Sequence, residues 1–168
     1  MTEIDNLSNN EANKKIKELA ESADICMFTT ALTQLPLTSR PMSTQKADED
    51  GTLWFFSKKD SNKVTQLRED NRVQLFYSNL TSSEYLSVYG RATLIQDEAK
   101  AKELWSAMVK TWFNGGSDDP NLMIIKVVPE DGYYWDTKDG KVITLMKIAA
   151  GAIAGREMDG SIEGGLKI

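Results

Sequence analysis

Between residues 25 and 153 the apolar residues come in short runs, each closed by a stretch of turn-forming residues. Runs of that length, bounded by Gly, Pro, Asn, Asp and Ser, mark antiparallel strands. Residues 25–32, 39–45 and 53–57 read as three consecutive strands, the last two separated by Ala47-Asp48-Glu49-Asp50-Gly51. Residues 72–78 and 85–95 follow as two more, with Gly90 marking a bulge or bend. Residues 122–135 and 142–153 are expected as a final pair joined by a turn at 137–140. About seven short strands favour a small barrel, because closing a sheet removes its exposed edges.

Three helical segments interrupt this pattern. Residues 10–21 place Ile16, Leu19 and Ala20 at helical spacing among Lys and Glu, giving a short amphipathic helix at the N-terminal end. Asp60-Ser61 offers a cap for a helix over 62–68, where Val64 and Leu67 share a face. Asp97 caps a third, running through Ala99, Leu104, Trp105 and Met108 and ending before Asn114-Gly115-Gly116. The tail from Gly155 to Ile168 is glycine-rich and polar and reads as irregular. A chain of 168 residues then makes one domain, mainly β with a few peripheral helices.

Composition narrows the chemistry. The chain has no histidine, which removes Ser-His-Asp and Cys-His nucleophile systems and the commonest general base. Cys26 is the only cysteine, so an intrachain disulfide and a CxxC redox or zinc site are excluded. Chemistry carried by a redox cofactor fits such a chain, since the protein then supplies only position and electrostatics. A net charge of −5 argues against general affinity for nucleic acid and makes any anion site a local basic pocket. There is no signal-peptide pattern and no apolar run of the roughly 18 residues that a membrane helix needs, so a cytoplasmic protein is expected.

One such pocket is suggested by Leu53-Trp54-Phe55-Phe56-Ser57-Lys58-Lys59-Asp60-Ser61-Asn62-Lys63, a strand running into a helix start. A helix N-terminus presents unpaired N–H groups and a partial positive charge to a phosphate. The hydroxyls of Ser57 and Ser61 and the ammonium of Lys63 would complete the cradle. The same residues also suit a plain cap at Ser61 with solvated lysines. Pro41 within a strand belongs at a sheet edge or where the backbone turns to face something else, and Arg40 ahead of it can offer a forked, charge-assisted pair of hydrogen bonds or be a plain surface arginine. Trp112 and Trp135 could wall a flat ring system, whereas Phe113 reads as core or interface.

Taken in order, RPM at 40–42, LWFFSKKDSNKV at 53–64, YLSVYGRA at 85–92, WFNGGSDDP at 112–120 and YYWD at 133–136 resemble the pyridoxamine 5′-phosphate oxidase-like FMN-binding split barrels, most closely the bacterial general stress protein branch. The resemblance spans about residues 10–153. It implies an antiparallel split β-barrel that works as a homodimer with FMN in the groove between subunits. Arg40, Pro41, Met42, Ser43, Thr44 and Gln45 would run beside the flavin, with Arg40 on its phosphate. Phe56 and Ser57 would line it, and Lys58, Ser61, Asn62 and Lys63 would surround the phosphate. Tyr85, Trp112 and Trp135 complete the expected set, with Trp135 and the Tyr85 region reaching the flavin of the partner subunit. The true oxidase has a lysine and a further arginine where this chain has Gln45 and Asn62, and an Arg-x-His substrate motif that this chain lacks. Oxidation of pyridoxamine phosphate is therefore not expected. A flavin oxidoreductase acting on a small electron donor and acceptor, a flavin-binding or sensing module without turnover, and a barrel using FAD or F420 all fit the resemblance.

Overall fold

The computed structural model describes residues 3–107, 109–113, 115–137 and 160–168. Its elements in chain order are β1 (Glu3–Ile4), β2 (Leu7–Ser8), α1 (Asn9–Ala23), β3 (Ile25–Thr30), β4 (Thr38–Ser43), β5 (Lys46–Ala47), β6 (Leu53–Lys58), α2 (Asn62–Glu69), β7 (Arg72–Asn79), β8 (Glu84–Ile95), α3 (Glu98–Leu104), a 3₁₀ turn at Val109–Thr111, β9 (Leu122–Thr137) and β10 (Ser161–Lys167). The expected strand over 142–153 lies outside the described residues.

Strands β10, β9, β8, β7, β3 and β4 hydrogen-bond in that spatial order, with β1 beyond β10 and β6 joined to the first half of β9. All these pairings are antiparallel except those of β1 and β2, which run parallel to β10. The fold is a split barrel. Among the described residues its strand ladder does not close into a ring, so β4 remains an edge. That edge is where Pro41 sits, exposed and free of any need to donate to a further strand. The bend expected at Gly90 is a register shift in the β8–β9 ladder at Tyr89/Gly90, where a Cβ would overlap the Val128 carbonyl oxygen.

β6 is apolar on both faces because both faces are covered. Leu53 and Phe55 enter the main core with Phe28, Leu75, Val88 and Ile125. Trp54 and Phe56 point the other way, into a second cluster with Ala101, Leu104, Val109 and Phe113. Burying an aromatic such as Phe55, which meets Phe28 edge-on at 5.1 Å, contributes about 1.5–3 kcal/mol by area alone. Phe113 is thus a core residue. α1 closes the main core from one side with Ala12, Ile16, Leu19 and Ala20, an i, i+4, i+7, i+8 stripe that follows from helical periodicity.

Two expectations are corrected. The tail is not irregular at 161–167: these residues form β10, which pairs with the second half of β9 and buries Leu166. Its Gly164 is there because the chain near Asp5 presses against it, leaving no room for a side chain. α3 is also shorter than expected. Asp97 caps it by accepting from Lys100 N, but the backbone turns extended at Trp105, so the helix ends at Leu104, and the Trp105 ring meets Phe56 at a tilt, centroids 6.0 Å apart. Among the described residues no helix is long and apolar enough to cross a membrane.

Candidate anion site

Four of the expected residues come together where β6 hands over to α2. Ser57, buried at the end of β6, has its hydroxyl 3.0 Å from Ser61 Oγ and accepts a hydrogen bond from Lys63 Nζ at 3.0 Å. Ser61 holds the N-cap position of α2 in extended conformation, yet its side chain makes no cap hydrogen bond. It is turned towards Ser57 instead. Val64 N and Thr65 N donate to Ser61 O at 3.0 and 3.2 Å, so among the described residues the first-turn N–H groups that keep their capacity for an outside acceptor are those of Asn62 and Lys63.

Arg40 enters the same corner from β4, where it lies opposite Phe28. Its Nη1 donates to Phe28 O at 3.1 Å and to Thr30 Oγ1 at 2.7 Å, and its Nη2 donates to Gln66 Oε1 at 3.1 Å. Gln66 follows Lys63 by three residues and so shares its face of α2. Burial holds the Arg40 guanidinium below the usual arginine range. Burial, and then the neighbouring charge of Arg40, holds the Lys63 ammonium below the ordinary lysine value.

Neither cation forms an ion pair with a described residue, although Arg72, Arg91 and Lys15 each meet a carboxylate. Two half-buried like charges and two hydroxyls at a helix start, with no anion supplied by the described chain, make a site of positive potential. A phosphate suits this donor set: it accepts from hydroxyl, ammonium, guanidinium and backbone N–H alike.

The other expected residues are placed differently. Met42 is in the main core. Ser43 Oγ donates to Asp24 Oδ1 at 3.2 Å, Thr44 Oγ1 lies 2.8 Å from Tyr77 Oη, and Gln45 Nε2 donates to Ser43 O at 3.1 Å. Phe56 faces the second cluster, Lys58 and Asn62 are exposed, and Trp112 is 74% exposed beside the 3₁₀ turn. Tyr85 and Trp135 are direct cross-strand partners on β8 and β9. They line a cleft of about 390 Å³ with Phe76, Tyr77, Ser78 and Leu86. Thr30 and Gln66, which hold Arg40, went unrecognised in the sequence: one reads as a strand residue and the other as a solvated helix position.

The class is defined by a split barrel with two cations, unpaired among the described residues, at a strand-to-helix junction. The chain belongs to the family described as "Pyridoxamine 5'-phosphate oxidase like", whose model matches residues 11–159. General stress protein 26 of Bacillus subtilis is 26% identical over 83 residues, 48% of this chain. The chain spans 62% and 59% of the lengths of two curated relatives that it matches. Among solved structures, a general stress protein 26 candidate from Jannaschia sp. CCS1 superimposes with a TM-score of 0.76 at 21% identity, covering 95% of this chain and 96% of that one. The general stress FMN/FAD binding protein of Xanthomonas citri superimposes with a TM-score of 0.63 at 26% identity, covering 74% and 87%.

Proposed function

We propose that this chain binds FMN, its phosphate held by Arg40, Ser57, Ser61 and Lys63 at the start of α2, and that it serves as a flavin oxidoreductase in a homodimer. The observation that carries the reading is the convergence of Arg40 and Lys63 on one corner with no described carboxylate to neutralise them. Like charges are brought together in a half-buried site at a cost, and a dianionic phosphate offsets it. The X. citri neighbour, itself an FMN/FAD binding protein, agrees with this choice of ligand. Bound FMN would supply two-electron chemistry that the side chains, with no histidine and a buried cysteine, do not offer.

The residues' own part is binding and orientation. Ser57 and Ser61 present hydroxyls, Lys63 and Arg40 balance the charge, and the first turn of α2 adds its dipole. The dimer is supported by the outer sheet face, where Met27, Phe76, Tyr85 and Trp135 are all exposed. A contiguous apolar patch of this kind marks a site of protein association.

Titration of the purified chain with FMN, followed by flavin fluorescence, tests the reading. Tight binding that weakens by roughly 1.5–3 kcal/mol in Arg40→Ala, the usual loss for a hydrogen bond to a charged group, supports it. A chain that ignores FMN, or an Arg40→Ala protein that binds as before, removes it. Bleaching of the bound flavin by NADH or NADPH separates turnover from binding alone.

A further inference from the structure

We infer that Thr30 and Gln66 are positioning residues, which aim Arg40 at a phosphate while leaving its charge unneutralised; this rests on the flavin-phosphate reading above. The acceptors around the Arg40 guanidinium among the described residues are the carbonyl oxygen of Phe28, the hydroxyl of Thr30 and the amide oxygen of Gln66. All three are neutral.

They also grip one end of the group. Thr30 Oγ1 donates to Gln66 Oε1 at 2.6 Å, so the two acceptor oxygens stand side by side, one opposite Nη1 and the other opposite Nη2. A guanidinium has five N–H donors in a rigid plane. Engaging its Nη1–Nη2 end leaves Nε–H and the second N–H of Nη2 without a partner among the described residues. That is the edge with which Arg72 of this chain holds a carboxylate, Nε to Asp70 Oδ1 at 2.8 Å and Nη2 to Asp70 Oδ2 at 2.8 Å. The free edge of Arg40 is therefore the bidentate one, which suits two phosphate oxygens.

The side-chain identities follow from this task. A carboxylate at position 66 would hold the guanidinium equally well, but it would close an ion pair inside the fold and cancel the charge meant for the ligand. Glutamine positions without neutralising. Thr30 has no solvent exposure, so its hydroxyl must have protein partners, and those partners are Arg40 and Gln66.

The test compares FMN with riboflavin, which has the same ring and ribityl chain but no phosphate, on the full chain. Gln66→Glu is expected to weaken FMN binding by about tenfold or more and to leave riboflavin binding unchanged. Thr30→Val is expected to show the same split, and Thr30→Ser, which keeps the hydroxyl, to restore FMN affinity. Thermal unfolding without ligand identifies any variant that has lost its fold. Should Gln66→Glu be such a variant, Gln66→Met removes the acceptor without adding charge and is expected to weaken FMN alone, by a smaller factor.

A Gln66→Glu protein that binds FMN as tightly as the parent, beside an Arg40→Ala protein that has lost it, overturns the positioning role and leaves the flavin reading intact. Equal losses for FMN and riboflavin also overturn it, since a purely structural role would move both. A parent chain that binds neither flavin overturns both readings.

Discussion

Lys63 Nζ donates to Ser57 Oγ at 3.0 Å, so the last buried residue of β6 is tied to the first turn of α2 by a hydrogen bond that a bound anion would share. The bond links a cation to a neutral hydroxyl, and the charge itself has no described counterion.

That arrangement sets ligand affinity against stability. A base whose pKa is depressed in the fold is more readily protonated in the unfolded chain. The unfolded state therefore holds more protons between the lowered value and 10.5, and this group's contribution to stability rises with pH through that window. Near neutrality, charged Lys63 costs the ligand-free protein some stability. Lys63→Met is expected to stabilise the ligand-free protein, by no more than about 1 kcal/mol because the side chain is half exposed and solvent-screened, and so to raise its melting temperature. The same variant is expected to lose about tenfold or more in FMN affinity. Calorimetry without ligand, paired with flavin titration, checks both; a drop in ligand-free stability contradicts the idea of an uncompensated cation.

Cys26 is expected to be chemically silent in the native protein. Its thiol is buried in the core against Tyr77, whose hydroxyl lies 2.8 Å from Thr44 Oγ1, and burial pushes its pKa up from 9.0 to about 12. At pH 8 the thiolate fraction is then about one in ten thousand. A disulfide reagent such as DTNB is expected to label one thiol per chain in denaturant and almost none under native conditions. The sign for stability runs the other way from Lys63: the native thiol keeps a proton that the unfolded chain releases above 9.0. Its contribution is full below that pH and falls by at most about 1.4 kcal/mol per unit towards 12. Rapid native labelling would refute the assignment.

The parts of the fold legible in the sequence were those with a local cause. The apolar spacing of Ile16, Leu19 and Ala20 placed α1, Pro41 announced an edge, and Gly90 announced a break in register. The N-cap at Ser61 was visible as well, but not that its hydroxyl turns to Ser57 rather than to a backbone N–H. β10 was hidden because its glycines look like turn residues, whereas they admit a second backbone that comes from the other end of the chain. Thr30 and Gln66 were hidden for a related reason. Their role depends on β3 and α2 meeting over Arg40, and no spacing along the chain records such a meeting.

The two glycines of β10 are expected to differ sharply. A Cβ on Gly164 would overlap the Asp5 carbonyl, whose neighbouring N–H donates to Glu163 O at 2.8 Å, so Gly164→Ala must push β1 away from the sheet. A Cβ on Gly165 would meet nothing nearer than Asn6 Oδ1 at 3.4 Å, an ordinary contact. Gly164→Ala is expected to cost about 1–3 kcal/mol, in line with overpacking, and Gly165→Ala less than about 1 kcal/mol. Chemical denaturation compares them, and faster amide exchange at Asp5 in the Gly164 variant would locate the damage. Equal stability in the two would mean that the ends of the chain do not pair as described.

The outer face of the sheet makes the last case. Met27 pairs with Phe76, Phe76 with Ser87 and Ser87 with Tyr133, while Tyr85 pairs with Trp135. Cross-strand partners point to the same side, so Met27, Phe76, Tyr133 and their neighbours form one apolar strip across four strands. The inward-facing residues alternate with them and are already buried, which means that a charge added to the strip need not disturb the core. Phe76→Glu is therefore expected to convert a dimer to a monomer in sedimentation velocity, with far-UV circular dichroism unchanged. If the cleft of Tyr85 and Trp135 reaches the flavin of the partner, this variant also loses affinity for FMN and riboflavin together, unlike the phosphate-site variants, which spare riboflavin. A parent chain that sediments as a monomer at micromolar concentration would leave the strip without its proposed occupant.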